Sequence, residues 1–474
     1  MVRLLLLGAA TGAVILRLWT SYCFFPLAEW NNVRLAPTFM LAAGVTPYPG
    51  LGDGPVTTWI YGPVPLLLNL PALLGHAMIP ALLIAGAINL LTALLPAALA
   101  VAFLAPPGDR PAASDRGWAF LLCLALWPNP GLLYLQADNV AVACGMISLV
   151  LLARSGGRPR WWRPLAALAV ALSVWSKQTS LGLVAAEILW LGLVCGSAPA
   201  FRYGLLCALF GLGLGLLFVG WFGFDGLWLN LVRLPGRLPF FGDPLARTLD
   251  FGKHLGGYVL LPAIAAFAWR GAIWRRDSPW LLPFLAWLLL LPTALVSTFK
   301  VGGATNSLNN FLYLLPLGAL ALVTWLRRRL PDFSRPVVGG LIVGIVLQQL
   351  AYAPQLPTRP AVAALQEAGQ LARQFPGQIY FPWHPLVTYF SDGRFDDAED
   401  GLATRRLAGL APVAADCHLP PHWCVTAFPG WRDRGFFKQL QPPSAQLGFA
   451  GRWTVYIWPR DLQASSRGPG NGRP

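Results

Sequence analysis

The sequence predicts an all-α polytopic membrane bundle followed by a small α/β domain. Of the 474 residues, 56% are hydrophobic and only 12% are charged, and the mean hydropathy is +0.55. Apolar runs near the roughly 20 residues that a spanning helix needs recur along the chain. After about residue 353 these runs give way to mixed polar segments. We therefore expect a membrane domain over residues 1–353, an α/β domain over 354–464 and a disordered tail over 465–474.

About eleven spanning helices are predicted, together with one interfacial helix. The first runs from about Val2 to Tyr22 and is interpreted as a retained helix, because no small-residue cleavage site follows it. The piece Val64–Met78 is short, contains two prolines and is interpreted as interfacial or re-entrant. The other spans are placed at residues 79–104, 117–134, 139–153, 164–180, 181–197, 204–222, 255–270, 281–298, 309–326 and 336–353.

Arginine clusters between the apolar runs set the predicted orientation. If Val64–Met78 does not cross, all clusters lie on one side, which the positive-inside rule makes the cytosol. The N-terminus is then cytoplasmic and the C-terminal domain lies outside, as in a bacterial inner-membrane protein with a periplasmic domain. The net charge of +15 therefore reports orientation and does not indicate a nucleic-acid partner. The clusters are Arg110/Arg116, Arg154/Arg158/Arg160/Arg163, Arg202, Arg270/Arg275/Arg276 and Arg327/Arg328/Arg329/Arg335.

Two carboxylates are expected at the outer side of the bundle. Glu29 lies in the first outer loop, five residues before Arg34, and Asp138 lies in the next outer turn. Because charges are scarce in this chain, carboxylates at the mouth of a helix bundle indicate function. The alternatives are a solvated or first-turn carboxylate for Glu29 and a helix N-cap for Asp138.

Basic and amide side chains accompany the carboxylates. Lys177 interrupts an apolar run near the outer end of its helix and is followed by Gln178; the alternative is a lysine that snorkels to the interface. Lys300 and Asn306 belong to a polar turn of the type that binds phosphate or sugar hydroxyls, and the alternative is an ordinary turn with a helix cap.

One predicted outer loop carries positive charge that the orientation rule does not expect. It contains Arg233, Arg237, Arg247 and Lys253. These residues indicate an anionic ligand such as a lipid phosphate, and lipid headgroups in general would serve nearly as well.

The C-terminal domain is predicted from short patterned segments. His384 is assigned to the domain core or an interface rather than to catalysis. Cys417 and Cys424 could form a disulfide if the domain is extracytoplasmic, and whether they do is left open. The expected elements are a helix at 361–375, a helical turn at 386–390, and strands at 378–381, 423–428 and 453–458.

The order of several motifs resembles the GT-C superfamily of membrane glycosyltransferases over roughly residues 1–330. After the first helix and Glu29 come Gly44-Val45-Thr46-Pro47-Tyr48, then Tyr61-Gly62-Pro63, the second acidic residue and Ser176-Lys177-Gln178-Thr179. That superfamily includes protein O-mannosyltransferases and the aminoarabinose transferases of lipid A. The resemblance implies an outward-facing cavity and a polyprenyl-phosphate-linked sugar as the donor.

Carried over by position, the resemblance makes Glu29 the candidate general base and Asp138 the second-loop acidic residue. Gln136 stands where an arginine usually precedes that acid, and Lys177 corresponds to the basic group near the donor phosphate. The predicted catalytic residues are Glu29 and Asp138, and the predicted substrate-binding residues are Arg34, Tyr61, Lys177, Gln178, Arg233, Arg237, Lys300 and Asn306.

The predicted function is transfer of a sugar from this lipid donor to a glycan, lipid or protein acceptor. Such a reaction needs a base for the acceptor proton and cations for the departing phosphate. Two carboxylates could also hold a divalent metal, although no ligand spacing demands one. The alternatives are a flippase or transporter for a lipid-linked or anionic solute, which predicts polar groups at mid-depth, and a non-catalytic scaffold. The absence of a P-loop or other nucleotide motif argues against a nucleotide-driven pump.

Overall fold

The structure is a computed structural model, and it describes residues 2–24, 29–104, 111–126, 134–154, 161–247, 249, 271, 275–276, 278–303, 305–351, 359–410, 417–420, 423–426, 445–450 and 453–457. The helices are Val2–Phe24, Glu29–Ala42, Val64–Leu68, Met78–Phe103, Ala113–Leu126, Ala137–Arg154, Trp162–Ser176, Leu181–Cys195, Ser197–Phe222, Phe224–Trp228, Leu234–Arg237, Leu281–Phe299, Leu315–Arg329, Ser334–Ala351, Arg359–Gln374, Pro385–Asp392 and Glu399–Leu407. Short 3-10 or π-helical segments are Leu70–Leu74, Gln178–Ser180, Leu229–Arg233 and Thr305–Tyr313.

Several of the described helices have the dimensions of membrane spans. Five are long and apolar enough to cross a membrane, and a sixth results if Asn306–Tyr313 and Leu315–Arg329, bent by 45°, count as one span. These helices fit the predicted membrane bundle. The count of eleven remains a prediction, and the predicted span at 255–270 falls outside the described residues. The five are Met78–Phe103, Ala137–Arg154, Gln178–Cys195, Ser197–Phe222 and Leu281–Phe299.

The segment predicted to be interfacial is too short to cross a bilayer. It consists of Val64–Leu68 and the 3-10 helix Leu70–Leu74. Five residues of each kind reach about 18 Å at 1.5 and 2.0 Å per residue, against about 30 Å for the hydrocarbon core.

One end of the bundle, hereafter the arginine end, gathers basic side chains from several helices. Arg327 Nη1 lies 2.7 Å from Asp115 Oδ2, and the Arg154 guanidinium lies 4.4 Å from the centre of the Phe103 ring. These four residues come from four different helices. Their grouping at one end is what the orientation prediction requires, while the side of the membrane that this end faces stays a prediction. The opposite end is called the site end.

The stretch after the first helix is more ordered than predicted. The sequence predicted a long loop here, but residues Glu29–Ala42 form a helix with Pro37 inside it. Its polar residues are not a solvent-facing loop, because Asn31 and Asn32 are buried. Asn32 Oδ1 accepts a hydrogen bond from the backbone N–H of Leu386 at 2.9 Å, so the helix lies between the bundle and the C-terminal unit, residues 359–457.

The C-terminal unit contains a four-stranded sheet in the order β1-β2-β4-β3. The strands are β1 Ile379–Tyr380, β2 Trp423–Thr426, β3 Ala445–Ala450 and β4 Trp453–Ile457. β1 pairs with β2 in parallel, and the other pairs are antiparallel. The sequence did not predict β3 or the helix Glu399–Leu407. His384 is buried against the Trp453 ring at 5.0 Å, and burial lowers its pKa to about 3. The predicted disulfide is untested, because the Cys424 side chain lies outside the described residues.

Hydrogen bonds fasten the C-terminal unit to the loop 44–63. The Asp397 carboxylate accepts from the backbone N–H groups of Val56 at 2.5 Å and His418 at 2.7 Å. The backbone N–H of Ala398 donates to the Val56 carbonyl at 2.8 Å. Arg405 donates to the carbonyl oxygens of residues 49 and 50, at 2.8 and 2.9 Å. The loop is therefore held from the C-terminal side at two places.

A carboxyl group that the sequence analysis did not single out is buried inside the bundle. Glu187 is 0% exposed, and it accepts hydrogen bonds from Ser148 Oγ at 2.5 Å and Tyr203 OH at 2.6 Å. Glu187 lies in the middle of the helix Leu181–Cys195. Ionisable groups at such depth in a membrane bundle are rare and are usually paired. Here two hydroxyl donors satisfy both oxygens.

Candidate functional site

Asp138 and Lys177 form a buried ion pair at the site end. Lys177 Nζ lies 2.5 Å from Asp138 Oδ1, and the two side chains are 8% and 3% exposed. Asp138 stands in the first turn of the helix Ala137–Arg154, and Lys177 follows the last residue of the helix Trp162–Ser176. Because an isolated charge buried to this degree is strongly unfavourable, the two opposite charges stabilise each other.

Two asparagines complete the coordination of the carboxylate. Asn306 Nδ2 donates to Asp138 Oδ2 at 3.0 Å, and Asn309 Nδ2 donates to Asp138 Oδ1 at 2.8 Å. Both come from the segment Thr305–Tyr313. The four side chains Asp138, Lys177, Asn306 and Asn309 are called the site cluster, and three separate elements contribute to it. Their chemistry is that of a fixed ammonium held by an anion that accepts three hydrogen bonds.

The chain around Lys177 is fixed by its neighbours. Lys177 has an extended backbone, with φ −148° and ψ 123°, between a helix end and the 3-10 segment Gln178–Ser180. The Gln178 side chain donates from Nε2 to the carbonyls of Ile60 at 3.1 Å and Leu231 at 3.0 Å. Gln178 therefore joins the lysine to two other parts of the site end instead of standing open to solvent.

Gly62 allows the loop 44–63 to reach the helix that carries Lys177. Its backbone N–H donates to the Ser176 carbonyl at 3.2 Å, and a Cβ at this position would fall 1.7 Å from the Trp175 carbonyl oxygen. A side chain is therefore excluded. The neighbouring Tyr61, predicted to bind substrate, is half-buried, and its carbonyl accepts a hydrogen bond from Tyr48 at 2.9 Å.

Glu29 and Arg34 lie next to the turn that precedes Asp138. The Asn31 side chain accepts from the Leu135 backbone N–H at 2.7 Å, and Arg34 donates to the Leu135 carbonyl at 3.3 Å. Leu135 stands three residues before Asp138, which is at most about 10 Å of chain. Burial raises the pKa of Tyr134 in the same turn; the Glu29 carboxylate raises it further, and Arg34 opposes this. The structure thus brings Glu29 beside the turn but shows no direct bond between it and the described part of the site cluster.

The C-terminal unit adds aromatic and acidic groups beside the helix Glu29–Ala42. Trp383 packs edge-on against Trp30 with the ring centres 4.9 Å apart, and Trp383 Nε1 donates to Glu399 Oε2 at 2.5 Å. Burial raises the pKa of Asp400 to about 6, and Arg34 acts in the opposite direction. No pattern in the sequence connected these residues with the first loop.

The basic residues that the sequence predicts to bind a phosphate or another anion differ in their surroundings. The Lys300 ammonium is hydrogen-bonded within the protein, since its Nζ donates to the carbonyls of Pro235 at 2.6 Å and Gly236 at 3.3 Å. Arg233 and Arg237 are exposed. Arg247 is half-buried and donates to the Gly303 carbonyl at 3.0 Å, and Lys253 falls outside the described residues.

Two small pockets flank the site cluster. Neither contains a group of three acidic, histidine or cysteine side chains suited to a metal ion, and none is found elsewhere among the described residues. Gln136, which replaces the arginine expected from the resemblance, lines the second pocket. The first is lined by Val142, Thr179, Ser180, Leu290, Thr293, Ala294, Ser307, Asn309 and Tyr313. The second is lined by Trp59, Pro65, Leu68, Asn69, Ile88, Asn89, Thr92, Leu135, Gln136 and Val140.

Comparison with solved structures shows that the chain shares its fold with ArnT. The chain is similar to the crystal structure of ArnT from Cupriavidus metallidurans in the apo state, with a TM-score of 0.56 and 14% identity over 96% of this chain and 99% of that one. Against ArnT bound to undecaprenyl phosphate, the TM-score is 0.52 and the identity 11%, over 98% and 99% of the two chains. No protein-family model matches the sequence, and no curated protein matches it.

Proposed function

We propose that this protein is a membrane glycosyltransferase that moves a sugar from a polyprenyl-phosphate-linked donor to an acceptor at the site end. The observation that carries the proposal is the site cluster, a buried ammonium fixed at a helix end of a GT-C fold. A similar structure, that of ArnT, contains undecaprenyl phosphate. This supports a lipid phosphate as the leaving group, and the sugar itself is left open.

Lys177 is proposed to stabilise the departing phosphate. An ammonium has three N–H donors, and the contacts described here place one of them on Asp138. Because the Asp138 oxygens are occupied by Lys177 and two amides, Asp138 is better suited to positioning Lys177 than to taking a proton. Asn306 and Asn309 then act through Asp138 as positioning residues.

Glu29 is proposed as the general base. Its carboxylate takes the proton of the acceptor hydroxyl as that oxygen forms a bond to the anomeric carbon. The bond between the anomeric carbon and the phosphate oxygen breaks, and its electron pair leaves with the lipid phosphate, where Lys177 offsets the charge. The half-buried Glu29 stands at the first turn of its helix, and the next residue, Trp30, packs against Trp383.

The membrane orientation follows the arginines in this proposal. The arginine end faces the cytosol and the site end faces the periplasm. A donor can then keep its hydrocarbon chain in the bilayer while its headgroup meets an acceptor in the aqueous compartment.

A lipid-linked solute carrier is the second candidate, and one observation favours it. Glu187, with Ser148 and Tyr203, places polar groups at mid-depth in the bundle, which a carrier pathway requires. However, both oxygens of the Glu187 carboxyl are satisfied by neighbouring hydroxyls and the residue is fully buried. We therefore favour the transferase.

The test is sugar transfer by the purified protein in lipid nanodiscs, with a panel of polyprenyl-phosphate sugars and candidate acceptors. Release of polyprenyl phosphate is expected from the wild type, with at least about a hundredfold loss in Glu29→Gln and Lys177→Ala. Glu367→Gln, a half-buried carboxylate on the helix Arg359–Gln374, serves as the matched control and should retain activity.

The carrier is tested with the same protein in liposomes. If the wild type consumes no donor but moves it between leaflets, and Glu29→Gln moves it equally well, the transferase proposal and the role of Glu29 both fail. Loss of donor movement in Glu187→Gln would then place the transport path at Glu187, Ser148 and Tyr203.

A further inference from the structure

A single glycine separates the last long helix before residue 223 from a short helical segment that follows. Gly223 has φ +79°, a left-handed conformation that ends the helix Ser197–Phe222. The segment Phe224–Arg237, hereafter the cross segment, begins directly after it. Its third residue, Gly226, approaches the backbone of the loop 44–63 so closely that an added Cβ would fall 2.3 Å from the Tyr48 carbonyl oxygen.

The cross segment runs over the site end of the bundle. Leu231 offers its carbonyl to Gln178, the residue after Lys177, at 3.0 Å. Nine residues beyond Gly226, the Pro235 carbonyl accepts from Lys300 at 2.6 Å. The contacts of Gly226 and Pro235 are about 14 Å apart along a helix. All of the partner residues nevertheless lie at helix ends or in the loop 44–63. A helix that continued along the bundle axis would extend away from the site end and could not make all of these contacts. The cross segment therefore lies across the site end.

The two faces of the cross segment differ in character. Its buried face packs against the protein and includes Leu227, Asn230, Leu231 and Leu234. Its exposed face carries Phe224, Trp228 and Val232, which are spaced four residues apart and therefore share one side of a helix. Phe224 and Trp228 stack with their ring centres 6.0 Å apart. Exposed aromatic residues of this kind are typical of a helix that lies in the membrane–water interface.

Positive charge flanks this apolar face. Arg233 and Arg237 are exposed and also four residues apart. Arg233 follows Val232 directly, which places it on a neighbouring side of the helical segment and not on the apolar side. Arginines in that position reach from an interfacial helix to the phosphates of lipids.

The apolar face continues a lipid-facing stripe on the preceding helix. Exposed large apolar residues recur there at helical spacing, so an apolar surface runs along the helix that leads to the cross segment. They are Phe201, Leu205, Leu209, Leu212 and Leu216, and Trp221 is also exposed near the end of the helix.

We propose that the cross segment binds the phosphate of a polyprenyl-phosphate lipid through Arg233 and Arg237, with the isoprenoid chain along the exposed apolar stripe. The inference rests on the proposed function and names the surface where the donor enters the site. Proximity to the site favours this lipid over bulk phospholipid, because Gln178, the residue next to Lys177, donates a hydrogen bond to Leu231 of the cross segment. Guanidinium groups are suited to bidentate phosphate contacts.

The test measures binding of undecaprenyl phosphate, without sugar, to the full-length protein in phosphatidylcholine nanodiscs by native mass spectrometry. The double variant Arg233→Gln/Arg237→Gln is expected to weaken binding about tenfold or more. Arg275→Gln/Arg276→Gln, two adjacent exposed arginines in the segment before Leu281–Phe299, is the matched control and should bind as the wild type does. Trp228→Ser removes an aromatic anchor without changing charge and is expected to weaken binding severalfold.

The outcomes separate this inference from the proposed function. If the wild type transfers sugar but the double variant binds undecaprenyl phosphate normally and keeps the donor KM, the cross-segment proposal fails and the transferase stands. If the wild type transfers no sugar, but binds undecaprenyl phosphate and the double variant does not, the lipid-binding surface stands and the transferase proposal fails. Phosphatidylglycerol is the competitor: displacement at equal concentration would show a general anionic-lipid site and overturn selectivity for the donor.

Discussion

Removing the charge of Asp138 is expected to destabilise the protein through Lys177. Asp138→Asn keeps the shape of the side chain but leaves a buried ammonium without its anion, at a cost of about 3–5 kcal/mol in the free energy of unfolding. Lys177→Met leaves a carboxylate that still accepts from Asn306 and Asn309, so its cost should fall at the lower end of that range. The double variant has no buried charge, and its loss should be smaller than the sum of the two by about 2–3 kcal/mol.

The coupling is measured from unfolding in detergent, with circular dichroism followed during titration with a denaturing surfactant. The pair Arg327–Asp115 is the control, because it has a similar geometry at 2.7 Å but its arginine side chain is 33% exposed. Its coupling should be about 1 kcal/mol or less. If Asp138→Asn and Lys177→Met are simply additive, or if Asp138→Asn costs no more than a surface substitution, the site cluster is not an ion pair and the reasoning fails.

Three further predictions concern the loop 44–63 and the C-terminal unit. Gly62→Ala should lower stability by about 1–3 kcal/mol and reduce the proposed sugar transfer, because its Cβ would fall 1.7 Å from the Trp175 carbonyl oxygen. Thermal unfolding measures the first effect and an activity assay the second, with Gly12→Ala, at a helix position with open space around it, as the control. A Gly62→Ala protein with unchanged stability and activity would contradict the close approach. Asp397→Ala should expose the Val56 amide to hydrogen exchange, since two hydrogen bonds to a carboxylate, each worth about 1.5–3 kcal/mol, are lost; protection equal to that of the wild type would show that the contact is not needed. Burial raises the pKa of Asp396 from 3.8 to about 7, so the folded state holds a proton that the unfolded chain releases above about pH 4, and stability should fall as the pH rises from about 4 to 7. Asp396→Asn should flatten that dependence in proteolysis of the C-terminal unit, and an unaltered pH profile would assign it to other groups.

Local signals predicted the members of the site cluster one by one. Lys177 stood out because it interrupts an apolar run, and Asp138 because it starts one. Asn306 came from a polar turn, where Asn309 gave the same signal. Their convergence on one carboxylate depends on the packing of three elements distant in sequence, which no local pattern encodes. The catalytic role of Asp138 stays a prediction, since the structure shows only that its carboxylate accepts from Lys177, Asn306 and Asn309.

The features that the sequence did not predict also have physical explanations. The helix Glu29–Ala42 was predicted as a loop because Pro37 and two asparagines break the apolar pattern, but those asparagines are buried and bonded to other parts of the chain. Glu187 gave a signal, a lone acid in an apolar helix, that could have been noticed. The docking of Asp397 on Val56 gave none, since it joins residues 341 positions apart.

That separation has a consequence for how the protein is made. Synthesis proceeds at about 5–20 residues per second, so the Val56 amide waits about 20–70 s after it is made before Asp397 leaves the ribosome. During that interval the loop 44–63, and with it the Gly62 contact to the helix of Lys177, lacks the C-terminal hydrogen bonds that fasten it. The N-terminal loop is therefore among the last parts of the chain to mature. Ribosome-bound chains that stop before residue 397 should show an unprotected Val56 amide, whereas those that include the whole C-terminal unit should protect it.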